Sequence, residues 1–210
     1  IENATMEDVK QFFYKHYLPN EAIMVVAGNV KLAEVERLAK KWFAPIPAGQ
    51  SYHRDLPQES RQTAPKILDI TADVPVDVIY KAYHMCSKAS PDMYATDLLS
   101  DILGRGQSSR LYKKLVREDR VFNSISGYIT GSIDPGLLII SGRPNQGVSL
   151  EEANQAIENI TEELIANPIS EEELEKVKNQ AESTLVFSEV EILNRAMGLA
   201  YATLLGDTEM

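Results

Sequence analysis

The amino-acid sequence predicts an α+β fold in which helices pack on one face of a largely antiparallel sheet. Alternating apolar residues predict strands at 67–71, 76–85, 122–130 and 137–141. Turn-forming residues at 131–136 favour a hairpin between the last two of these strands. Helical spacing of apolar residues fills much of the remaining sequence, and strands with helices gathered between and after them are typical of an α+β layer.

The first 47 residues predict a helix, a buried strand and a second helix. Thr5 is a good N-terminal cap for a helix that ends before Pro19. The uninterrupted apolar run 22–27 predicts the strand, and an apolar stripe along 32–42 predicts the second helix.

A polar, proline-rich stretch at 44–65 has neither helical nor strand periodicity. We therefore expect a linker at 48–65, in which His53 is solvated. This linker separates a helix-strand-helix segment, 1–47, from a larger α+β unit, 66–210.

Five helices are expected in the larger unit, and three of them begin at a serine. Ser90 is followed by proline, which is preferred at the first helical position. Ser149 and Ser170 are each followed three residues later by glutamate, which completes a capping box. The expected helices are 91–103, 110–119, 149–164, 170–185 and 192–205.

Composition argues against several classes of partner. The chain has 31 acidic and 21 basic residues, which gives a formal net charge of −10, and it has no basic stripe for nucleic acid or an anionic membrane. Its apolar runs are far shorter than the ~18 residues that suggest a membrane-spanning helix. Cys86 is the only cysteine, so no internal disulfide can form. We expect neither nucleic acid nor a membrane as a partner.

The sequence offers no metal site and no complete catalytic set. His16, His53 and His84 are far apart, and none has the partner four residues away that places two imidazoles on one helix face. His84 lies two residues before Cys86, but no carboxylate is placed to orient a Cys-His pair. Any chemistry that this chain serves must be completed by residues outside it.

Two groups of charged residues have alternative interpretations. Asp97 and Asp101 share one helix face and could hold a metal, but the apolar residues around them favour a solvated helix edge. Arg117 ends a helix that leads directly into a strand, where a guanidinium can reach over the sheet edge to a ligand carbonyl or carboxylate. Alternatively, Arg117 only offsets the helix dipole.

Three stretches together resemble the pitrilysin or insulinase-type zinc peptidases, the family that includes the mitochondrial processing peptidases. The first, at 13–30, places Tyr-Leu-Pro-Asn-Glu-Ala before an apolar run that ends in Gly-Asn-Val. The second, at 102–112, places Ile-Leu-Gly before a glycine-containing turn and Ser-Arg-Leu-Tyr after it. The third, at 116–120, is Val-Arg-Glu-Asp-Arg entering a strand.

The resemblance implies a repeated α+β unit whose copies enclose a chamber for unfolded peptide, with zinc in the copy that carries His-x-x-Glu-His. This chain lacks that motif. It therefore resembles the end of a zinc-bearing unit followed by the companion unit of a zinc metallopeptidase, with zinc bound outside this chain and no activity in the isolated chain. The implied partners are a peptide substrate and a zinc-bearing unit, in the same polypeptide or in a partner subunit.

The same resemblance implies substrate-binding residues. In active members of the family the companion unit contributes an arginine and, seven residues later, a tyrosine, which position the substrate and stabilise the developing charge. Arg117 matches the arginine, but Ser124 stands at the tyrosine position. Tyr128 is expected on the same strand face as Ser124, and we hypothesise that its phenol partly replaces the missing one from ~13 Å further along the strand.

Two other functions are kept as alternatives. The chain could belong to a non-catalytic scaffold or chaperone-like subunit of the same family, which the serine at position 124 favours. It could instead be a stand-alone α+β interaction domain. Apolar surface left by absent partner units also favours association between copies of the chain. The bacterial cytoplasm or periplasm is the favoured location.

Overall fold

The computed structural model describes residues 2–50, 55–57 and 59–206, so His53 lies outside the described residues. The chain divides into two compact units. The terminal unit comprises Ile1–Leu68 and Val186–Met210, and the sheet unit comprises Asp69–Leu185. The last helix thus groups with the first residues, whereas the predicted segment 66–210 includes it. The assignment of the chain to two successive units of the family fold stays a prediction.

Within the described residues there are six α-helices, one 3-10 turn, one π-helix and three strands. In chain order they are α1 (Met6–His16), the 3-10 turn (Pro19–Glu21), α2 (Leu32–Trp42), β1 (Ile79–His84), α3 (Met93–Gly104), the π-helix (Tyr112–Glu118), β2 (Phe122–Ile129), β3 (Leu137–Pro144), α4 (Leu150–Ala166), α5 (Glu171–Ser188) and α6 (Ile192–Leu205). None of the described helices is both long and apolar enough to cross a membrane.

Three of the predicted capping residues, Thr5, Ser149 and Ser170, start their helices. The helix predicted from Ser90 begins instead at Met93, after Asp92, which makes no side-chain cap. Thr5 Oγ1 accepts a hydrogen bond from the Asp8 N–H at 3.3 Å, and Asp8 Oδ2 accepts one from the Thr5 N–H at 2.8 Å, so α1 has a complete capping box. Ser149 Oγ accepts from the Glu152 N–H at 3.1 Å at the start of α4. The predicted caps therefore satisfy N–H groups that a helix leaves unpaired.

Two of the predicted strands are wrong. Residues 22–27 and 67–71 form no β-ladder with any residue that the structure describes. The side chains of Ile23, Met24 and Val26 are exposed rather than buried. A strand needs a neighbour that pairs its N–H and C=O groups and a surface that covers its side chains, and an apolar run specifies neither.

The sheet has three strands in the order β1-β3-β2, and both pairings are antiparallel. The predicted hairpin between the strands now labelled β2 and β3 is confirmed. Its turn is closed by the Leu137 N–H, which donates to Thr130 Oγ1 at 2.8 Å. A bulge between Phe122 and Ser124 shifts the register at the start of β2.

Helices cover one face of this sheet. The core cluster joins β2 and β3 to α3, the π-helix and α4, and its members are Leu103, Leu111, Leu115, Phe122, Ile125, Ile140, Ala153, Ile157 and Ile160. Gly104 at the end of α3 lies against the backbone of Gly127 in β2 with no space for a side chain at position 104. The predicted α+β class, a small antiparallel sheet with helices on one face, is confirmed.

The helix predicted at 110–119 widens into a π-helix from Tyr112 onward. The Asp119 N–H donates to the Lys114 carbonyl at 2.8 Å, five residues back, as this wider helix requires. Leu111 and Leu115 are buried as predicted. The widened turn ends just before β2 begins.

Candidate functional site

The face of the sheet opposite the helices is open. Because side chains alternate along a strand, the residues between the buried positions must point to this second face. Its residues are exposed or half-buried, and we call them the outer sheet face: Tyr80, Ala82, Ser124, Ser126, Tyr128, Ile139, Ser141 and Arg143.

The strand register arranges the outer sheet face in rows. Reading across the strands, the rows are Ser124 and Arg143; Tyr80, Ser141 and Ser126; and Ala82, Ile139 and Tyr128. Directly paired residues have Cβ atoms roughly 4.5–5.5 Å apart. A cationic row, a hydroxyl row and an apolar row therefore lie side by side. Tyr80 and Tyr128 lie on the two edge strands of the outer sheet face, and they are 68% and 44% exposed.

The outer sheet face has an unusual charge for this acidic chain. None of the three strands contains an aspartate or a glutamate. Lys81 of β1 lies on the inner face, where its Nζ donates to Asn154 Oδ1 and Glu158 Oε1 of α4, both at 2.7 Å. Hydrogen bonds from Lys81 and Asn154 lower the pKa of Glu158. Arg143 is the arginine that the strands present outward.

The structure brings two of the three predicted substrate-binding residues together. Ser124 and Tyr128 both lie on the outer sheet face, as strand alternation predicts. Arg117 is exposed in the last turn of the π-helix, outside the sheet, and no described residue links it to either by a hydrogen bond or an ion pair. The roles of all three in substrate binding stay predictions.

Arg143 is the residue that sequence reasoning missed. It pairs with Ser124 in the register of β2 and β3. The signal in the sequence is weak, because a Gly-Arg-Pro ending of a strand is compatible with either face. Only the pairing of the two strands shows that this cation lies beside the predicted site.

The solvated edge expected for the two aspartates of α3 is right for Asp97, which is exposed, and wrong for Asp101. Asp101 is only 7% exposed, and its Oδ2 accepts from Arg105 Nη1 at 3.1 Å. Burial raises the pKa of Asp97, and the negative charge of Asp101 raises it further. Arg105 thus offsets the negative charge of Asp101. In the part of the chain that the structure describes, no group of three His, Cys, Asp or Glu side chains could hold a metal ion.

The thiol of Cys86 has a hydroxyl group as a neighbour. Cys86 Sγ lies 3.9 Å from the hydroxyl oxygen of Thr96. The thiol therefore lies beside a helix hydroxyl in α3.

Arg110, in the Ser-Arg-Leu-Tyr stretch, has a structural partner. Its Nε and Nη2 donate to the two carboxylate oxygens of Glu173 at 2.9 and 2.8 Å, a bidentate pair. The hydrogen bonds from Arg110 lower the pKa of Glu173 to about 2, and they raise the pKa of Arg110. Glu173 also accepts from the Ser170 N–H at 3.2 Å. Arg110 thereby fixes the start of α5 beside the π-helix.

Fold and surface together define the class of this protein: an α+β domain with one open sheet face and, among its described residues, no metal centre. The chain belongs to the family of Peptidase M16 inactive domains, which its sequence matches over residues 3–181. The resemblance to the insulinase-type zinc peptidases is therefore confirmed.

Similarity to individual proteins agrees with this assignment. The chain is 28% identical over 184 residues to zinc protease PqqE of Helicobacter pylori, which covers 85% of this chain and 41% of the relative. It is 22% identical over 179 residues to a protein of the same organism named non-peptidase homolog YmxG, with the same coverage of 85% and 41%. A crystal structure of a protease from Helicobacter pylori matches 98% of this chain and 51% of its own, with a TM-score of 0.85 and 23% identity. The chain spans less than half the length of both relatives.

Proposed function

We propose that this chain is the companion domain of a zinc-dependent peptidase and forms one wall of a chamber for unfolded peptide. The observation that carries the proposal is the outer sheet face, which is open while the other face is packed against helices. It presents hydroxyl, aromatic and cationic side chains in rows, and an extended peptide has amide, carbonyl and side-chain groups at matching intervals of ~3.3 Å per residue.

Zinc does not fit the residues described here, which offer no group of three ligands. A relative's name, zinc protease PqqE, supports a zinc-bearing partner region. In our proposal that region lies in the same polypeptide or in a partner subunit and performs the hydrolysis. This chain's own residues then bind and orient the peptide, and the isolated chain is inactive.

Arg117 is proposed to contact the peptide most directly. Its exposed guanidinium can donate to a peptide carbonyl and stabilise the negative charge that develops there. Ser124 is too short to reach as a tyrosine would. Tyr128, on the same face four residues further along β2, is proposed to contact the peptide through its phenol at a more distant point.

Peptide cleavage by the full-length protein that contains this sequence tests the proposal. With zinc bound, the wild type should cleave an unstructured peptide. Arg117→Ala should lower kcat by about 100-fold, because it removes a donor to the developing charge. Tyr128→Phe should lower kcat/KM by about threefold, the loss of one neutral hydrogen bond.

The matched control is Arg37→Ala, which removes an exposed arginine from α2 of the terminal unit and should leave cleavage unchanged. If the zinc-loaded wild type does not cleave the peptide, the proposal that the full-length protein is a peptidase is wrong. If Tyr128→Phe has no effect while Arg117→Ala does, Arg117 acts without that partner.

A scaffold or chaperone-like subunit is the second candidate. Serine at position 124 favours it, because the resemblance expects a tyrosine there. A relative named non-peptidase homolog YmxG supports it as well. This alternative expects the full-length protein to bind unfolded peptide without zinc and without cleaving it. Metal analysis of the purified full-length protein separates the two candidates.

A further inference from the structure

We propose that Arg143 makes the outer sheet face a binding site for a carboxylate of an extended peptide. This proposal rests on the proposed function, because it names the kind of peptide that the chamber wall selects. It adds a specificity-determining residue, because the family resemblance implies roles for Arg117 and position 124 but none for Arg143.

The direction of Arg143 follows from its neighbour in β3. Gly142 lies under the side chains of Phe122 and Ile125, which occupy the space where a Cβ atom would project. Gly142 therefore faces the core, and Arg143, the next residue along the strand, faces outward. The guanidinium accordingly projects from the open side of the sheet, where Arg143 is exposed.

The register also explains why the guanidinium is accessible. Arg143 is paired directly with Ser124, next to the bulge at the start of β2. A tyrosine at position 124 would place its ring beside the arginine and could stack on it. Serine leaves that side of the guanidinium open and adds a hydroxyl that can donate to the same ligand. The departure from the family pattern thus creates room for an anion.

The lack of a carboxylate partner distinguishes Arg143 from four other cations of the sheet unit, a feature that it shares with the exposed Arg117. Lys81, Arg105, Arg110 and Lys114 each form an ion pair with a carboxylate of the chain. Among the described residues, none forms an ion pair or a hydrogen bond with the Arg143 side chain. An arginine with five unused donors, on strands that contain no acidic residue, is suited to a carboxylate from another molecule.

The expected ligand is a single carboxylate on a peptide rather than a polyanion. The net charge of −10 repels nucleic acid and other long anions, whereas one carboxylate experiences mainly the local positive charge. The hydroxyl row of Ser126 and Ser141 is the next row along the strands from Arg143, and Tyr128 lies one row further in the same direction. These side chains can contact the peptide on that side of its charge.

Fluorescence anisotropy with the 210-residue chain tests this subsite. The probes are two labelled, unstructured peptides with amidated C-termini that differ only in one central residue, glutamate or glutamine. The wild type should bind the glutamate peptide about fivefold to tenfold more tightly at low salt. A third peptide, with glutamine and a free C-terminus, shows whether a terminal carboxylate binds as a side chain does.

Arg143→Gln should abolish this preference and leave the affinity for the glutamine peptide within twofold. Ser124→Tyr should reduce the preference as well, because its ring covers the guanidinium. Arg37→Gln, the same charge change on the exposed surface of α2, should preserve it. The Arg143 side chain makes no hydrogen bond or ion pair with the described residues, so its variant should keep the wild-type unfolding midpoint, which is measured alongside.

Equal affinities of the wild type for the two peptides, or a preference that survives Arg143→Gln, would overturn the proposal, as would the absence of binding. Cleavage by the full-length protein is a separate measurement. If the full-length protein cleaves peptide but the chain does not prefer the glutamate peptide, only the Arg143 proposal is rejected. If the chain prefers the glutamate peptide but the zinc-loaded full-length protein does not cleave, only the peptidase proposal is rejected.

Discussion

The two compact units differ sharply in how they bury apolar side chains. Every buried apolar side chain among the described residues lies in the sheet unit, Asp69–Leu185, and none lies in the terminal unit. Yet the terminal unit has amphipathic helices, whose aromatic side chains such as Phe12, Phe13 and Trp42 are exposed. The difference shows that apolar periodicity specifies a helix and its apolar face. Burial of that face also requires a second surface that packs against it.

The exposed apolar surface of the terminal unit includes two open grooves. Their volumes are about 480 and 530 Å³, and the extended segment 22–26 contributes to both. Side chains from α2 line each groove. We therefore expect self-association of the isolated chain through this unit, which sedimentation at increasing concentration measures.

Truncation of matched phenylalanines gives the largest expected contrast between the units. Phe122 is 1% exposed in the core, whereas Phe12 of α1 is 59% exposed. Phe122→Ala should destabilise the sheet unit by about 4 kcal/mol, through lost burial and the cavity left behind. Phe12→Ala should cost less than about 1 kcal/mol.

Two probes separate the units in this experiment. Trp42, the single tryptophan, reports on the terminal unit by fluorescence, and hydrogen exchange of β3 amides reports on the sheet unit. Equal losses of β3 protection in the two variants would show that the units share one core, against the burial pattern.

Glycine-to-alanine changes give the next contrast. Gly104→Ala should destabilise the sheet unit by about 2–3 kcal/mol, because the new methyl group would overlap the backbone of Gly127. Gly198→Ala lies inside α6 with open space around it, so it should stabilise that helix by about 1 kcal/mol. Thermal unfolding and amide exchange in each helix measure both. A destabilising Gly198→Ala would reveal a close neighbour of α6.

The accuracy of the strand predictions depends on whether a neighbouring strand and a covering surface are present. In the sheet unit, the predicted strands 122–130 and 137–141 correspond to β2 and β3. The predicted capping box at Ser170 and Glu173 is complete, whereas at Ser149 only the serine side chain caps the helix. Local patterns suffice there because the receiving surface lies within the same unit. In the terminal unit the apolar run 22–27 was misread as a buried strand, since the sequence does not show whether a neighbouring strand exists.

The candidate site was predictable only in part. Strand alternation predicted correctly that Ser124 and Tyr128 share a face. It could not identify Arg143, because its position beside Ser124 depends on the β2-β3 register, which a bulge shifts. The burial of Asp101 was missed for a similar reason: Arg105 neutralises it one helical turn later, so a charged residue can lie inside.

Matched glutamates test the ion pairs of the two units. Glu173→Gln should destabilise the sheet unit by about 2 kcal/mol at neutral pH, because it breaks a bidentate pair and leaves Arg110 poorly satisfied. Glu34→Gln affects an exposed pair with a 3.8 Å separation in α2 and should cost less than about 0.5 kcal/mol. Urea unfolding monitored by β3 amide exchange compares them.

The same pair of proteins, wild type and Glu173→Gln, should differ in stability by an amount that depends on pH. The pKa of Glu173 is about 2 in the folded chain and near 4.5 when unfolded, so its stabilisation is present above pH 4.5 and is lost as pH falls toward 2. The difference in stability between wild type and Glu173→Gln should therefore shrink across that interval. A difference that stays constant down to pH 2 would mean that the charge of Glu173 contributes nothing.

Helix caps provide the smallest and most local comparison. Thr5 and Ser149 each accept a hydrogen bond from the N–H three residues on, and replacing either by alanine should cost about 1 kcal/mol. Ser149→Ala should lower exchange protection throughout the sheet unit, because α4 buries Ala153 and Ile157 in the core. Thr5→Ala should lower protection only within α1, whose described residues are not buried. Equal loss of β3 protection in both variants would show that α1 is coupled to the core, and the contrast between the units would then be one of exposure alone.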